Sequence, residues 1–96
     1  MKTIILFDEH SANWCAEVEW DLLWLEMQAG FIKDYLENRR YIYLNQIYEQ
    51  LGIDWDTNDK NYCYLAEFGP LDFEFEIVGE NGILVILSQQ EEETQA

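Results

Sequence analysis

Residues 71–82 read Leu71-Asp72-Phe73-Glu74-Phe75-Glu76-Ile77-Val78-Gly79-Glu80-Asn81-Gly82, and Ile83-Leu84-Val85-Ile86-Leu87 follows. Apolar and acidic residues alternate through the first eight positions. A strand turns successive side chains to opposite faces, so this alternation predicts a half-buried β-strand over 71–78. Asn81-Gly82 is a two-residue hairpin signal, because both residue types tolerate the positive φ that the tight turn requires. The run 83–88 then returns as the second arm. Its unbroken apolar character predicts a central strand covered on both faces. In this reading Phe73, Phe75 and Ile77 face a core, while Asp72, Glu74 and Glu76 face solvent.

Upstream, Lys2 to Phe7 is a short β-branched run and predicts a strand over 2–7. From Cys15 to Asn38 the period becomes helical. Val18, Leu22, Leu25, Ala29, Ile32 and Leu36 recur at spacings of three and four, and Trp20, Trp24, Met27, Phe31 and Tyr35 form a second stripe beside them. Together they make a face wider than a surface helix needs. Ser11 or Asn13 is the expected helix cap. Glu17, Glu19 and Asp21 near the start, and Arg39 and Arg40 near the end, suit the helix dipole. Gly30 in the interior suggests a close backbone approach. A short helix over 44–51 ends at Gly52, and a strand over 62–68 is broken by Gly69-Pro70. The expected fold is α+β: a small antiparallel sheet (2–7, 62–68, 71–78, 83–88) packed on one long helix (15–38), with a short second helix (44–51). Residues 1–88 are read as one domain and 89–96 as a flexible acidic tail.

The chain has 96 residues, 49% of them hydrophobic and 16% aromatic, which excludes disorder by composition. Twenty acids stand against five bases, a net charge of −15. Such a field repels nucleic acid and anionic membranes and attracts basic protein surfaces. Solubility alone is usually served by a net charge of about 2 to 8 in magnitude. No apolar run approaches the roughly 20 residues that span a bilayer. The N-terminal apolar stretch is too short for a signal peptide, so the expected location is intracellular, in the cytoplasm. Cys15 and Cys63 are expected to be reduced and buried, although a disulfide between them is the other reading.

The candidate catalytic and metal motifs fail individually. Asp54-Trp55-Asp56-Thr57-Asn58-Asp59 begins like a calcium loop. However, position 6 is Asp59 where a glycine is needed, and position 12 is Leu65 where a glutamate is needed. His10 is the sole histidine, too few with Cys15 and Cys63 for a zinc site. Ser11 and Ser88 lack a nucleophile-elbow context, and there is no phosphate-binding glycine loop. We therefore expect no catalytic residues, no metal and no cofactor. Two candidate surfaces remain. Asp72, Glu74 and Glu76 stand roughly 6.6 Å apart if 71–78 is a strand. Successive phosphates of one nucleic-acid strand are separated by about 6 to 7 Å through space, for an axial rise of about 3.4 Å. The row therefore matches a short run of backbone charge, with Glu67 and Glu80 extending it and Asp54, Asp56 and Asp59 adding charge nearby. The opposing reading is a solvated sheet face. Trp20 and Trp24 read either as core beneath the sheet or as an exposed aromatic interface for a partner.

Phe7-Asp8-Glu9-x-Ser11-x-x-Trp14, then Leu22-x-x-Leu25-x-x-Gln28, then Tyr41-x-x-Leu44-Asn45-x-x-Tyr48-x-x-Leu51-Gly52 cover about half the chain. This half resembles a family of small phage and prophage proteins from Gram-positive bacteria whose members have no established activity. The resemblance implies a mobile-element setting. In that setting, small acidic proteins include inhibitors of host defence of the anti-CRISPR and anti-restriction kind. The chain departs from the family after Gly52, where it is far more acidic. Two functions follow as expectations. One is a stoichiometric inhibitor that occupies the basic groove of a nucleic-acid-binding protein or nuclease. The other is a phage structural or accessory protein that assembles through its aromatic helix face.

Overall fold

A computed structural model describes residues 2–54, 61–79 and 82–89. Strand β1 (Lys2–Asp8) is followed by helix α1 (Val18–Arg39), strand β2 (Tyr41–Tyr43) and helix α2 (Leu44–Leu51). Strand β3 (Cys63–Leu65) runs into a single 3-10 turn at Ala66–Phe68, and β4 (Leu71–Val78) and β5 (Gly82–Gln89) are the last described elements. The class is α+β, with an antiparallel sheet, one long helix and one short one. The alternating stretch 71–78 is β4, and the apolar run beginning at Gly82 is its partner β5.

β5 lies at the centre of a three-stranded sheet of order β1-β5-β4, antiparallel to both neighbours. The register places Thr3, Ile5 and Phe7 opposite Leu87, Val85 and Ile83, with Phe73, Phe75 and Ile77 on their other side. This is the inner face. Ile5, Phe7, Leu71, Ile83, Val85 and Leu87 join Leu25, Ile32, Leu36, Ile47 and Leu51 from the two helices in one buried cluster. Phe7 sits at its centre, stacked on Trp24 at 5.6 Å and meeting the edge of Trp14 at 5.7 Å. Tyr64, also fully buried, ties β3 to the main sheet through a 2.6 Å hydrogen bond between its hydroxyl and that of Thr3.

Several expectations are corrected. β3 does not join the main sheet: it pairs with β2 in a separate two-stranded sheet, Ile42 opposite Tyr64. Residues 66–68 form the 3-10 turn rather than the end of a strand. α1 starts at Val18, three residues later than expected, because Ser11 and Asn13 do not cap it. The Ser11 hydroxyl donates instead to the Leu51 carbonyl at 2.8 Å, and Ala12 N–H bonds Gly52 O, so the loop after β1 closes over the end of α2. Gly52 does end α2, at φ +73°, and a side chain there would strike Asn13. Gly30 marks no close approach, since a Cβ built on it would meet nothing within 4 Å. Gln89 is not tail. It is the buried last residue of β5, and its side-chain amide donates to Leu65 O and Gly69 O at 2.7 and 2.8 Å. The rest of the expected tail, 90–96, lies outside the described residues. Ile77 is on the inner face but 50% exposed, because β4 is an edge strand.

Candidate functional site

The outer face of the three-stranded sheet follows from the register. Ile4, Ile86 and Glu74 lie side by side across the three strands; Leu6, Leu84 and Glu76 form the next row, and Lys2, Ser88 and Asp72 the row beyond Ile4. Read strand by strand, this face is aliphatic on β1, aliphatic on β5 and acidic on β4. Asp72, Glu74 and Glu76 are all exposed, and no ion pair joins them to a described lysine or arginine. The acidic row therefore exists as a row, on an edge strand, with its charges uncompensated by described cations.

Among the described residues, β5 is central but packed by the helices on one face only. Ile4 is 56% exposed and Leu6 48%, while Leu84 and Ile86 are half-buried. None of these four belongs to the buried core cluster, to which both helices contribute from the inner side. Gly82 widens this apolar floor, because a Cβ there would lie 3.1 Å from Leu6 and 3.2 Å from Val78, which close over it. The other expected acids are dispersed. Glu67 is exposed but sits in the 3-10 turn after β3, not on a strand paired with β4. Asp54 is exposed at the end of the described segment after α2. Asp56, Asp59 and Glu80, and with them most of the calcium-like loop, lie outside the described residues.

The two tryptophans divide between the readings. Trp24 stacks on Phe7 and belongs to the core margin. Trp20 is 65% exposed and begins a stripe with Leu23, Met27 and Phe31, each at least half exposed, on the side of α1 away from the sheet. The buried side of the same helix carries Asp21, Leu25, Gln28, Ala29, Ile32 and Leu36. α1 thus has two apolar stripes, one packed and one bare.

Asp21 and Gln28 are the polar residues that sequence reasoning missed. Both occupy positions on the core stripe (21, 25, 28, 32), and that placement was the available signal. Gln28 Oε1 accepts a hydrogen bond from Gln50 Nε2 of α2. Asp21 Oδ1 accepts the Cys15 N–H at 3.1 Å, which anchors the loop before α1, and its buried Oδ2 receives no N–H or O–H bond from a described residue. Cys15 and Cys63 are free thiols, as expected, but not buried: Cys15 is exposed and Cys63 half-buried. Hydrogen bonding to the Asp21 side chain raises the Cys15 thiol pKa above its ordinary value; the nearby Glu17 carbonyl opposes this, and the charges of Asp21 and Glu17 add to it. A thiol held protonated is a poor nucleophile. His10 lies against Asp8, with Nδ1 3.2 Å from Oδ1.

Compared with known proteins, the chain matches no family model, no curated protein and no solved structure. Among the described residues no helix is long and apolar enough to cross a membrane, and no cluster of histidine, cysteine and carboxylate side chains is arranged to hold a metal.

Proposed function

We propose that this is a non-catalytic, mobile-element-encoded binding protein that occupies the basic groove of a host or CRISPR-associated nucleic-acid-binding protein and blocks it stoichiometrically. The observation that supports this reading is the row Asp72, Glu74, Glu76: three exposed carboxylates on one face of one strand, without a described cationic partner, in a chain of net charge −15. Like charges on one face repel, and a single lysine among them would relieve that. The resemblance of residues 7–52 to small phage proteins supplies the setting. The test is capture of proteins from host lysate on the immobilised chain at low and high salt. Nucleic-acid-binding proteins should be retained at low salt, released by salt, displaced by added DNA, and lost with Glu74→Lys/Glu76→Lys. If that variant captures the same proteins and inhibits them equally, the reading fails.

A second reading is favoured by the bare stripe Trp20, Leu23, Met27 and Phe31. A stripe opposite a helix's buried side is the arrangement of a helix packed between two bodies. As an assembly face it predicts a salt-tolerant oligomer in sizing chromatography, weakened by Trp20→Ser. Trp20 is the informative position, since Trp24 also supports the core. A monomer at micromolar concentration in both low and high salt excludes it.

A further inference from the structure

We propose that the bare outer face of the β1-β5-β4 sheet docks an amphipathic helix of a partner protein, one with an aliphatic stripe along its length and lysine or arginine along one flank. This rests on the reading that the β4 acids engage a basic partner, and it specifies what the rest of that contact must be.

The face is too apolar to be an imitation of phosphates alone. Ile4, Leu6, Leu84 and Ile86 form a two-by-two block, and Val78 and Leu6 close over Gly82 at one end of it. Aliphatic surface of this kind on a sheet is ordinarily packed against a second layer. Both described helices pack on the inner face. The three aligned carboxylates Asp72, Glu74 and Glu76 border the block along β4. On the β1 side the outer face carries Lys2 and Asp8 at its two ends, with Ile4 and Leu6 between them.

That asymmetry selects the occupant. Strands are about 4.8 Å apart, so the acid row lies roughly 7 Å to one side of the centre of the aliphatic block. A helix is about 10 to 12 Å across with its side chains. Seated over β1 and β5, it sets its apolar stripe on the block and one flank over β4. Cations on that flank meet Glu74 and Glu76, and the opposite flank meets no carboxylate between Lys2 and Asp8. A second copy of this chain brings its own acid row and a like net charge of −15, which opposes pairing of these faces. Nucleic acid and anionic lipid are repelled by the same row.

The test uses the full chain with methyl-labelled isoleucine and leucine, and three stapled helical peptides of about 18 residues. The first carries leucines at i, i+3, i+4 and i+7 and lysines on one flank. In the second the leucines become glutamine, and in the third the lysines become glutamate. Titration of the first peptide should shift the methyls of Ile4, Leu6, Leu84 and Ile86, with an affinity at least about tenfold above that of the second, and the third should not bind. Ile4→Gln/Leu6→Gln should remove that tenfold advantage. Equal affinity for the two lysine peptides overturns the inference, as do shifts confined to other methyls or no binding of the first peptide. The peptide-side changes keep the test valid if the double variant unfolds. The two readings fail separately. If Glu74→Lys/Glu76→Lys abolishes binding while the leucines make no difference, the acidic-groove reading stands and this one falls. If the reversals leave binding by both lysine peptides unchanged, the acidic reading falls.

Discussion

At the scale of single residues, the instructive positions are those where a tertiary contact claimed a side chain that local rules assigned elsewhere. Ser11 has the type and position of a helix cap, yet its hydroxyl reaches Leu51 O across 40 residues of sequence. Nothing local encodes that bond, so the start of α1 was not legible. Asp21 is the converse case. Its position on the core stripe is readable, but an acid near a helix start is equally accounted for by the helix dipole. The Asp21 carboxylate also sets the chemistry of Cys15. Hydrogen bonding to Asp21 and the negative charges nearby favour the protonated thiol, so alkylation of Cys15 should need more alkaline conditions than a free cysteine does. Asp21→Asn removes one negative charge and the stronger acceptor, and the sign of the change is therefore downward. In a Cys63→Ser background, the pH midpoint of the iodoacetamide reaction rate should fall with Asp21→Asn. An unchanged midpoint would show that Asp21 does not control the thiol.

At the scale of elements, periodicity revealed which segments are strands and helices and left open what each packs against. The alternation in 71–78 and the apolar run after it placed β4 and β5 almost to the residue, but the two-residue turn read at Asn81-Gly82 is corrected, because Gly82 pairs with Val78 as the first residue of β5. The pairing of β2 with β3 was not readable, because two three-residue strands 22 positions apart carry too little pattern to declare a partner (Tyr41 opposite Leu65 at one end, Tyr43 opposite Cys63 at the other). α1 shows the same limit in another form. The sequence shows a second stripe of Trp20, Trp24, Met27, Phe31 and Tyr35, but Trp24 and Tyr35 pack against the core and Leu23 takes a place in the bare stripe. The structure covers the stripe of Leu25, Ile32 and Leu36 and leaves Trp20, Leu23, Met27 and Phe31 in the open. Gly30 lies on the exposed side, amid that bare stripe, with open space around it. Its effect on the isolated protein is then the intrinsic one. Gly30→Ala should stabilise by about 0.5–1 kcal/mol, raising the melting temperature by roughly 2–8 °C for a domain of this size. Thermal denaturation followed by circular dichroism measures it. A loss of stability would mean that the glycine's backbone freedom is needed in the native helix.

At the scale of the whole molecule, the question is whether −15 is passive or selected for contact. If the charge only keeps an aromatic-rich chain in solution, its placement is arbitrary, and any acid serves as well as any other. Placement on β4 is not arbitrary in its physical consequences. Alternate residues of one strand face stand roughly 6.6 Å apart, within a Debye length of about 10 Å at 0.1 M salt, so Asp72, Glu74 and Glu76, fixed on one face by the fold, repel one another more than they do in an unfolded chain whose dihedrals are free to turn them apart. Reversing Glu74 and Glu76 shifts the net charge of −15 by two units each and turns the repulsion between positions 72 and 74 into an attraction, while positions 74 and 76, opposite Ile86 and Leu84, still carry like charges. Glu74→Lys/Glu76→Lys should therefore melt higher than the natural sequence at about 20 mM salt, by a few degrees, for a gain on the order of 0.5–1 kcal/mol. The gap should close as salt is raised toward about 1 M, where the Debye length falls to about 3 Å. Melting curves of both proteins across that range decide the matter. A protein that becomes more stable and loses its partner on the same two substitutions holds its acids in line for the partner, at a cost to its own fold. Equal melting temperatures at low salt would remove that cost and return the row to the status of solvated surface.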